Sequence, residues 1–346
     1  MKNILLIVTL LFTSISIFAQ TQLRTNISVH DPVMIKQDSV FYLFCTGMGI
    51  ASWSSADMVH WKQEKPVFAT PQQWAVEAVP GFKGHIWAPD ISYHNGLYYL
   101  YYSVSAFGKN TSCIGVATNP TLNTESPAFK WTDHGKLIQS IPGKTNWNAI
   151  DPNLAEGKNE TPYLTFGSFW GGLKIVKLNK DRLSVAKHSD KLRTVATRVK
   201  DDGSRFNAPA IDDNPRDAGG NAIEAPFIFK KDNYYYLFAS IDYCCKGPKS
   251  TYKMIVARCK NVRGPYLDNN GQRMDRGGGT VVRKGNKDWY GVGHNGVCSA
   301  DGNDYLVYHG YDAADKGKSK LIINKIDWQN GWPVISNDAK NLAAAN

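Results

Sequence analysis

Three carboxylates recur in short segments of one kind: Asp31 in HDPVMI, Asp151 in AIDPNL and Glu224 in IEAPFI. Two further segments carry Asp90 in WAPDIS and His294 in GHNGVC. Brought together, like charges raise one another's pKa and cost stability unless the arrangement is used. Acid–base chemistry uses it. Inverting cleavage of a glycosidic bond needs one carboxylate to take a proton from water and one protonated carboxyl to supply the departing oxygen, roughly 6.5–9.5 Å apart across the sugar. Glu224, among Ile223, Ala225, Pro226 and Phe227, has the apolar neighbourhood that favours a protonated acid. Taken singly, an acid beside proline is more often a turn residue; the shared placement gives the set its weight. Asp90 is expected to brace the backbone and receives no catalytic role. Other hydrolytic and phosphate chemistries lack their parts: the chain has no GxSxG, no HExxH and no P-loop.

Residues so far apart in sequence meet only if the fold repeats. A run of aromatic and aliphatic residues appears five times: Val40 to Gly47, Leu97 to Ser105, Pro162 to Phe169, Tyr234 to Ile241, and Asp304 to Tyr311. Each is followed by a second apolar strand, within GIASWSS, SCIGVATN, LKIVKL, KMIVARC and KLIINKI, and preceded by one of the anchor segments. A repeat of roughly 60–70 residues, enough for four strands and their loops, predicts an all-β, five-bladed β-propeller with its site at one end of the central channel, because the first strand of every blade lines the axis. A β-sandwich explains less, since its strands seldom repeat a proline-flanked acid at one offset. Helices should be scarce. The polar stretch from Ser184 to Gly220 reads as a long loop that walls a binding site.

Bulk properties narrow the setting. The first residues, a lysine followed by an apolar run and a small-residue end, predict a signal peptide over 1–19 and an exported chain, periplasmic or extracellular, with 20–346 as a single catalytic domain. No later run is long enough to span a membrane. The net charge of +10 is scattered among acids, which argues against nucleic acid as a partner. Of six cysteines, Cys45, Cys113, Cys259 and Cys298 lie in strand-like runs and are expected to be packed thiols. Cys244 and Cys245 are adjacent; packed thiols are the expectation, and a vicinal disulfide is the alternative.

The ordered set HDP at His30 to Pro32, HIWAPD at His85 to Asp90, NAIDP at Asn148 to Pro152, GSFWGG around Ser168 to Gly172, IEAPF at Ile223 to Phe227 and GHN at Gly293 to Asn295 resembles glycoside hydrolase family 43, and within it the endo-α-1,5-L-arabinanases. The resemblance implies Asp31 as general base, Glu224 as general acid and Asp151 as the carboxylate that orients Glu224 and raises its pKa. It further implies Trp87, Phe107, Asn148 and Ser168 as substrate-binding residues, aromatic faces suiting the C–H surface of a furanose. It also implies a mostly water-coordinated calcium ion near His294, a poor hard-cation site by itself, with no organic cofactor. The expected partner is arabinan or an arabino-oligosaccharide, bound by a monomer. An exo-acting α-L-arabinofuranosidase, a β-xylosidase of the same family and a non-catalytic carbohydrate-binding propeller stay open as alternatives.

Overall fold

In a computed structural model that describes residues 22–187, 192–198 and 220–335, five four-stranded antiparallel sheets stand around one axis. Counted from the axis outward, blade 1 comprises Val33–Gln37, Val40–Cys45, Ala51–Ser55 and Lys62–Gln63. Blade 2 comprises Pro89–His94, Leu97–Val104, Ser112–Asn119 and Thr132–Ser140. Blade 3 comprises Asn153–Glu156, Pro162–Phe166, Leu173–Lys177 and Arg193–Ala196. Blade 4 comprises Ile223–Lys231, Tyr234–Ile241, Lys253–Cys259 and Thr280–Lys284. Blade 5 takes Trp289–Ala300, Asn303–Asp312 and Lys318–Lys325 from the end of the chain, and its outer strand, Gln22–Arg24, from the beginning. The five aromatic runs are the second strands, as the repeat predicts.

The reason those runs lack a polar face lies in the packing. In blade 2, Tyr98, Leu100 and Tyr102 join a cluster with Val33 and Phe44 of blade 1, while Tyr99 and Tyr101 join one with Leu164 and Phe166 of blade 3. Blade 4 repeats this: Tyr235, Leu237 and Ala239 face blade 3, and Tyr236 and Phe238 face blade 5. A strand buried on both faces needs large apolar residues at every position. Five such clusters fill the five gaps between neighbouring blades, the last joining Leu43 of blade 1 to Val307 and Ile323 of blade 5. The core is therefore a ring of interblade layers.

Helix is scarce among the described residues: one α-helix, Gln73–Ala78, packs over blade 2, with Trp74 Nε1 donating to Asp133 at 2.8 Å. None is long and apolar enough to cross a membrane. Two expectations need correction. The stretch from Ser184 to Gly220 is not all loop, because Arg193–Ala196 closes blade 3; Val195 and Ala196 are buried in the layer against blade 4. Positions 188–191 and 199–219 lie outside the described residues, as does the expected signal peptide. Cys244 and Cys245 form a disulfide and are not packed thiols: they sit in an exposed loop after the second strand of blade 4, where no apolar layer exists to bury a thiol. The other four cysteines are free, with Cys45, Cys113 and Cys298 buried.

Candidate active site

Four of the five blades carry a backbone kink in or just before the inner strand. Asp31, Asp151, Ala225 and His294 all take positive φ, between 53° and 55°, a conformation that costs a non-glycine residue free energy unless its surroundings fix it. A donor–acceptor pattern fixes it. The backbone N–H of Asp31 donates to His309 Nδ1 (3.1 Å), that of Asp151 to Ser103 Oγ (2.9 Å) and that of His294 to Ser240 Oγ (2.8 Å). In each case the acceptor stands on the second strand of the preceding blade. The N–H of Ala225 donates instead to Asp151 Oδ2 (3.1 Å), so one candidate acid holds the backbone beside another. Ladder registers shift across Glu224 to Phe227 and across Gly293 to Gly296, bulges that re-aim the side chains there. Gly293 is needed for close approach: a Cβ on it would lie 2.2 Å from the Tyr252 ring.

These kinks deliver Asp31, Asp151, Glu224 and His294 to one cavity of about 860 Å³. Asp31 receives His30 Nδ1 (2.8 Å) and His294 Nδ1 (3.0 Å) on Oδ1, and the Thr46 hydroxyl (2.6 Å) on Oδ2. Burial works against its charge, but His30 and His294 prevail and hold its carboxyl well below the usual carboxylate range. Burial likewise opposes a charged His294, yet Asp31 and Asp151 raise it to about 9. Burial pushes Asp151 up to about 8, against the His294 cation and helped by repulsion from Glu224 and Asp31. Glu224 is raised chiefly by burial, opposed by Tyr252, by the Ser168 hydroxyl that donates to Oε2 at 2.8 Å and by His294, while Asp31 adds repulsion. The Tyr252 hydroxyl lies near this carboxyl but is buried without a well-aligned hydrogen bond. The outcome is an ionised Asp31 in the same cavity as a carboxyl pair that retains a proton at neutral pH.

Trp87, Phe107, Asn148 and Ser168 all line the same cavity. Phe107, 80% exposed, is a rim residue and no part of the core, and Trp87 is half-buried. Ser168 and Asn148 are buried; the first is committed to Glu224, and Asn148 Nδ2 donates to the Lys109 carbonyl at 3.2 Å, leaving its Oδ1 without a partner among the described residues. Asp90 lies outside the cavity lining and braces the next blade: it accepts Leu154 N–H at 2.8 Å and Asn153 Nδ2 at 3.2 Å, and burial lifts it to about 7.

The profile of glycosyl hydrolases family 43 matches residues 25–333. The chain belongs to this family. It is a family 43 glycoside hydrolase, 48% identical over 318 residues to an extracellular exo-α-(1→5)-L-arabinofuranosidase of Cellvibrio japonicus, covering 92% of this chain and 88% of that protein. It is 41% identical over 313 residues to an extracellular endo-α-(1→5)-L-arabinanase of Bacillus subtilis, covering 89% and 88%. Among solved structures, a Cellvibrio cellulosa α-L-arabinanase complexed with arabinohexaose superimposes with a TM-score of 0.84 at 47% identity, covering 90% of this chain and 96% of that one.

Sequence reasoning about this glycoside hydrolase missed several groups that line the cavity or stand behind its lining. His30 was visible in HDP but read only as part of a motif. His309 and Tyr311 lie inside the fifth aromatic run, where their polarity was masked by the apolar pattern around them. Thr46, Tyr243, Lys246 and the Cys244–Cys245 disulfide line the cavity from loops, for which the strand repeat carries no signal.

Proposed function

We propose that this glycoside hydrolase cleaves α-1,5-linked L-arabinofuranosyl bonds with inversion at the anomeric carbon. One observation carries the reading: Asp31, Asp151 and Glu224, from three blades, share one cavity in which environment divides them into a carboxyl held low and a pair whose pKa is raised. Asp31 takes a proton from the attacking water, and Glu224 gives one to the departing sugar oxygen. Asp151 anchors the backbone at Ala225 and so aims Glu224. The substrate class is supported by the names of the relatives and by the arabinohexaose bound in a similar structure. The sequence resemblance favours internal cleavage; the relative of 48% identity, named as exo-acting, favours release from chain ends as a second reading. Export is supported by the apolar first residues and by relatives named extracellular.

For calcium, the residues fit as one imidazole of a site otherwise made of water. His294 borders the cavity, its Nδ1 is spent on Asp31, and its Nε2 has no hydrogen-bond partner among the described residues. His30, Asp31 and His309 place three ligand atoms within 4.8 Å, but their imidazole nitrogens are engaged in hydrogen bonds. Binding at His294 would displace its proton. A cation there would keep positive charge beside Asp31 and favour its ionised form.

The deciding experiment is turnover of linear arabinan by Asp31→Asn and Glu224→Gln, each expected to lose about 10²–10⁴-fold in kcat, with proton NMR of the first-formed anomer. Retained activity in either variant, or a retained anomeric configuration, overturns the mechanism. Early products decide the mode: a ladder of oligosaccharides with rapid viscosity loss marks endo action, and a single short product marks exo action.

A further inference from the structure

We propose that Tyr311 is a positioning residue for the base: its hydroxyl locks His30 in the tautomer that donates to Asp31, leaving Asp31 Oδ2 as the atom that accepts the proton. The inference rests on the reading of Asp31 as base. It follows from counting donors and lone pairs.

The count starts at a backbone amide, whose role is fixed. Asp31 N–H donates to His309 Nδ1, so that nitrogen presents its lone pair and the neutral ring carries its proton on Nε2. His309 is fully buried, and burial drives its pKa well below the usual histidine value. Its Nε2–H therefore donates to the Tyr311 oxygen, 3.3 Å away. A second fixed donor, the N–H of Cys245, reaches the same oxygen at 2.6 Å. Both lone pairs of the phenol are then filled. Its own O–H has two neighbours able to accept, His30 Nε2 at 2.8 Å and the Ser250 hydroxyl; because the ionised Asp31 only accepts from His30 Nδ1, a neutral His30 keeps its Nε2 lone pair for the phenol. With Nε2 accepting, neutral His30 carries its proton on Nδ1, which points at Asp31 Oδ1 from 2.8 Å.

This order has two consequences at the carboxylate. Oδ1 receives N–H groups from both His30 and His294, and its lone pairs are used. Oδ2 receives only the Thr46 hydroxyl, at 2.6 Å, and keeps one lone pair. The disulfide contributes as well. Cys245 Sγ lies 3.9 Å from His30 Nε2 and, being oxidised, has no proton to offer there; a free thiol would compete with Tyr311 for the same nitrogen. The rim loop and the base thus share one hydrogen-bonded path, from Cys245 through Tyr311 and His30.

The test combines ring ¹⁵N NMR with kinetics. In the full-length protein with ¹⁵N-labelled histidine, His30 is assigned by its loss in His30→Gln, and its wild-type shifts are expected to report the Nδ1–H tautomer at neutral pH. An Nε2–H tautomer or an imidazolium overturns the proposal without any activity measurement. In Tyr311→Phe, His30 is expected to become a tautomer mixture while kcat on linear arabinan falls about 10- to 100-fold with KM within about twofold. Unchanged kcat with unchanged His30 shifts overturns it. Should that variant not fold, the wild-type tautomer decides. If Asp31→Asn retained turnover, the base assignment would fail while the tautomer result stood, so the two failures are separable.

Discussion

Replacing Ser168 by Ala removes a hydroxyl that donates a well-formed hydrogen bond to the proposed acid, and its effect on pH dependence can be worked out in advance. Ser168 Oγ donates to Glu224 Oε2 at 2.8 Å, so it stabilises the ionised form. A hydrogen bond to a charged group contributes about 1.5–3 kcal/mol, and one pKa unit corresponds to about 1.4 kcal/mol. Complete loss would raise the acid's pKa by about 1–2 units; water entering from the cavity restores part of the bond, so a rise of about one unit is expected. The acid must be protonated to work. Activity in Ser168→Ala should therefore persist to higher pH, with the alkaline limb of kcat/KM moved upward. That limb belongs to Glu224 and Asp151 together, because repulsion between them ties their titrations. The assay is kcat/KM on a linear arabino-oligosaccharide from about pH 4 to 10, with Tm recorded to confirm an intact fold. A limb that stays in place or moves down refutes the argument that Ser168 tunes the acid.

Phe107→Ala, at an 80% exposed rim position, should raise KM several-fold while leaving Tm unchanged, as measured by initial rates and thermal unfolding. Asp304 accepts Lys231 Nζ (2.6 Å), Ser299 Oγ (2.6 Å) and Trp328 Nε1 (2.8 Å), tying blade 4 to blade 5. Asp304→Asn should cost about 1–3 kcal/mol of stability at neutral pH. Burial opposes its charge, but those donors hold its pKa below the usual value; the stability it adds is present above the unfolded carboxyl range and is lost as pH falls through the folded pKa. The gap between wild type and variant should accordingly narrow on acidification below about pH 4, seen by denaturant unfolding. Thiol titration of the denatured, unreduced mature chain should find four free groups and, after reduction, six.

The architecture was legible because a strand packed between two neighbouring sheets leaves a mark on both faces: LYYLYYSV is aromatic or aliphatic at every position but Ser103, and Tyr98 and Tyr99 turn to different blades. The axial residues were legible for the same reason, since equal offsets in a ring become one place. The hydrogen-bond partners that hold them were not. Ser103 and Ser240 look like small residues that end an apolar strand, and only the ring geometry sets each against the amide of the following blade. Asp90 matched the anchors by eye but lies two residues later relative to the proline than Asp31 and Asp151, which puts it within the ladder and away from the cavity. The Cys244–Cys245 bond escaped because adjacency alone suits either state, and the environment that decides between them, an exposed loop at the cavity rim, is set by tertiary structure.

Gln22–Arg24 pairs with Arg24 opposite Ile322 and Gln22 opposite Asn324. Blades 1 to 4 each take their four strands from one continuous stretch of chain in sequence order, so each can order as its own residues become available. Blade 5 cannot be completed until the two ends of the ring meet, a contact spanning roughly 300 residues and carrying the largest loop-closure cost in the molecule. Such a contact belongs late in folding. In a chain made from its N-terminus, those three residues wait for almost the whole sequence to appear, and until they dock, the edge at Ile322 to Asn324 stays open to pairing with another chain. The short N-terminal strand is thus a latch on the order of assembly and a guard against aggregation.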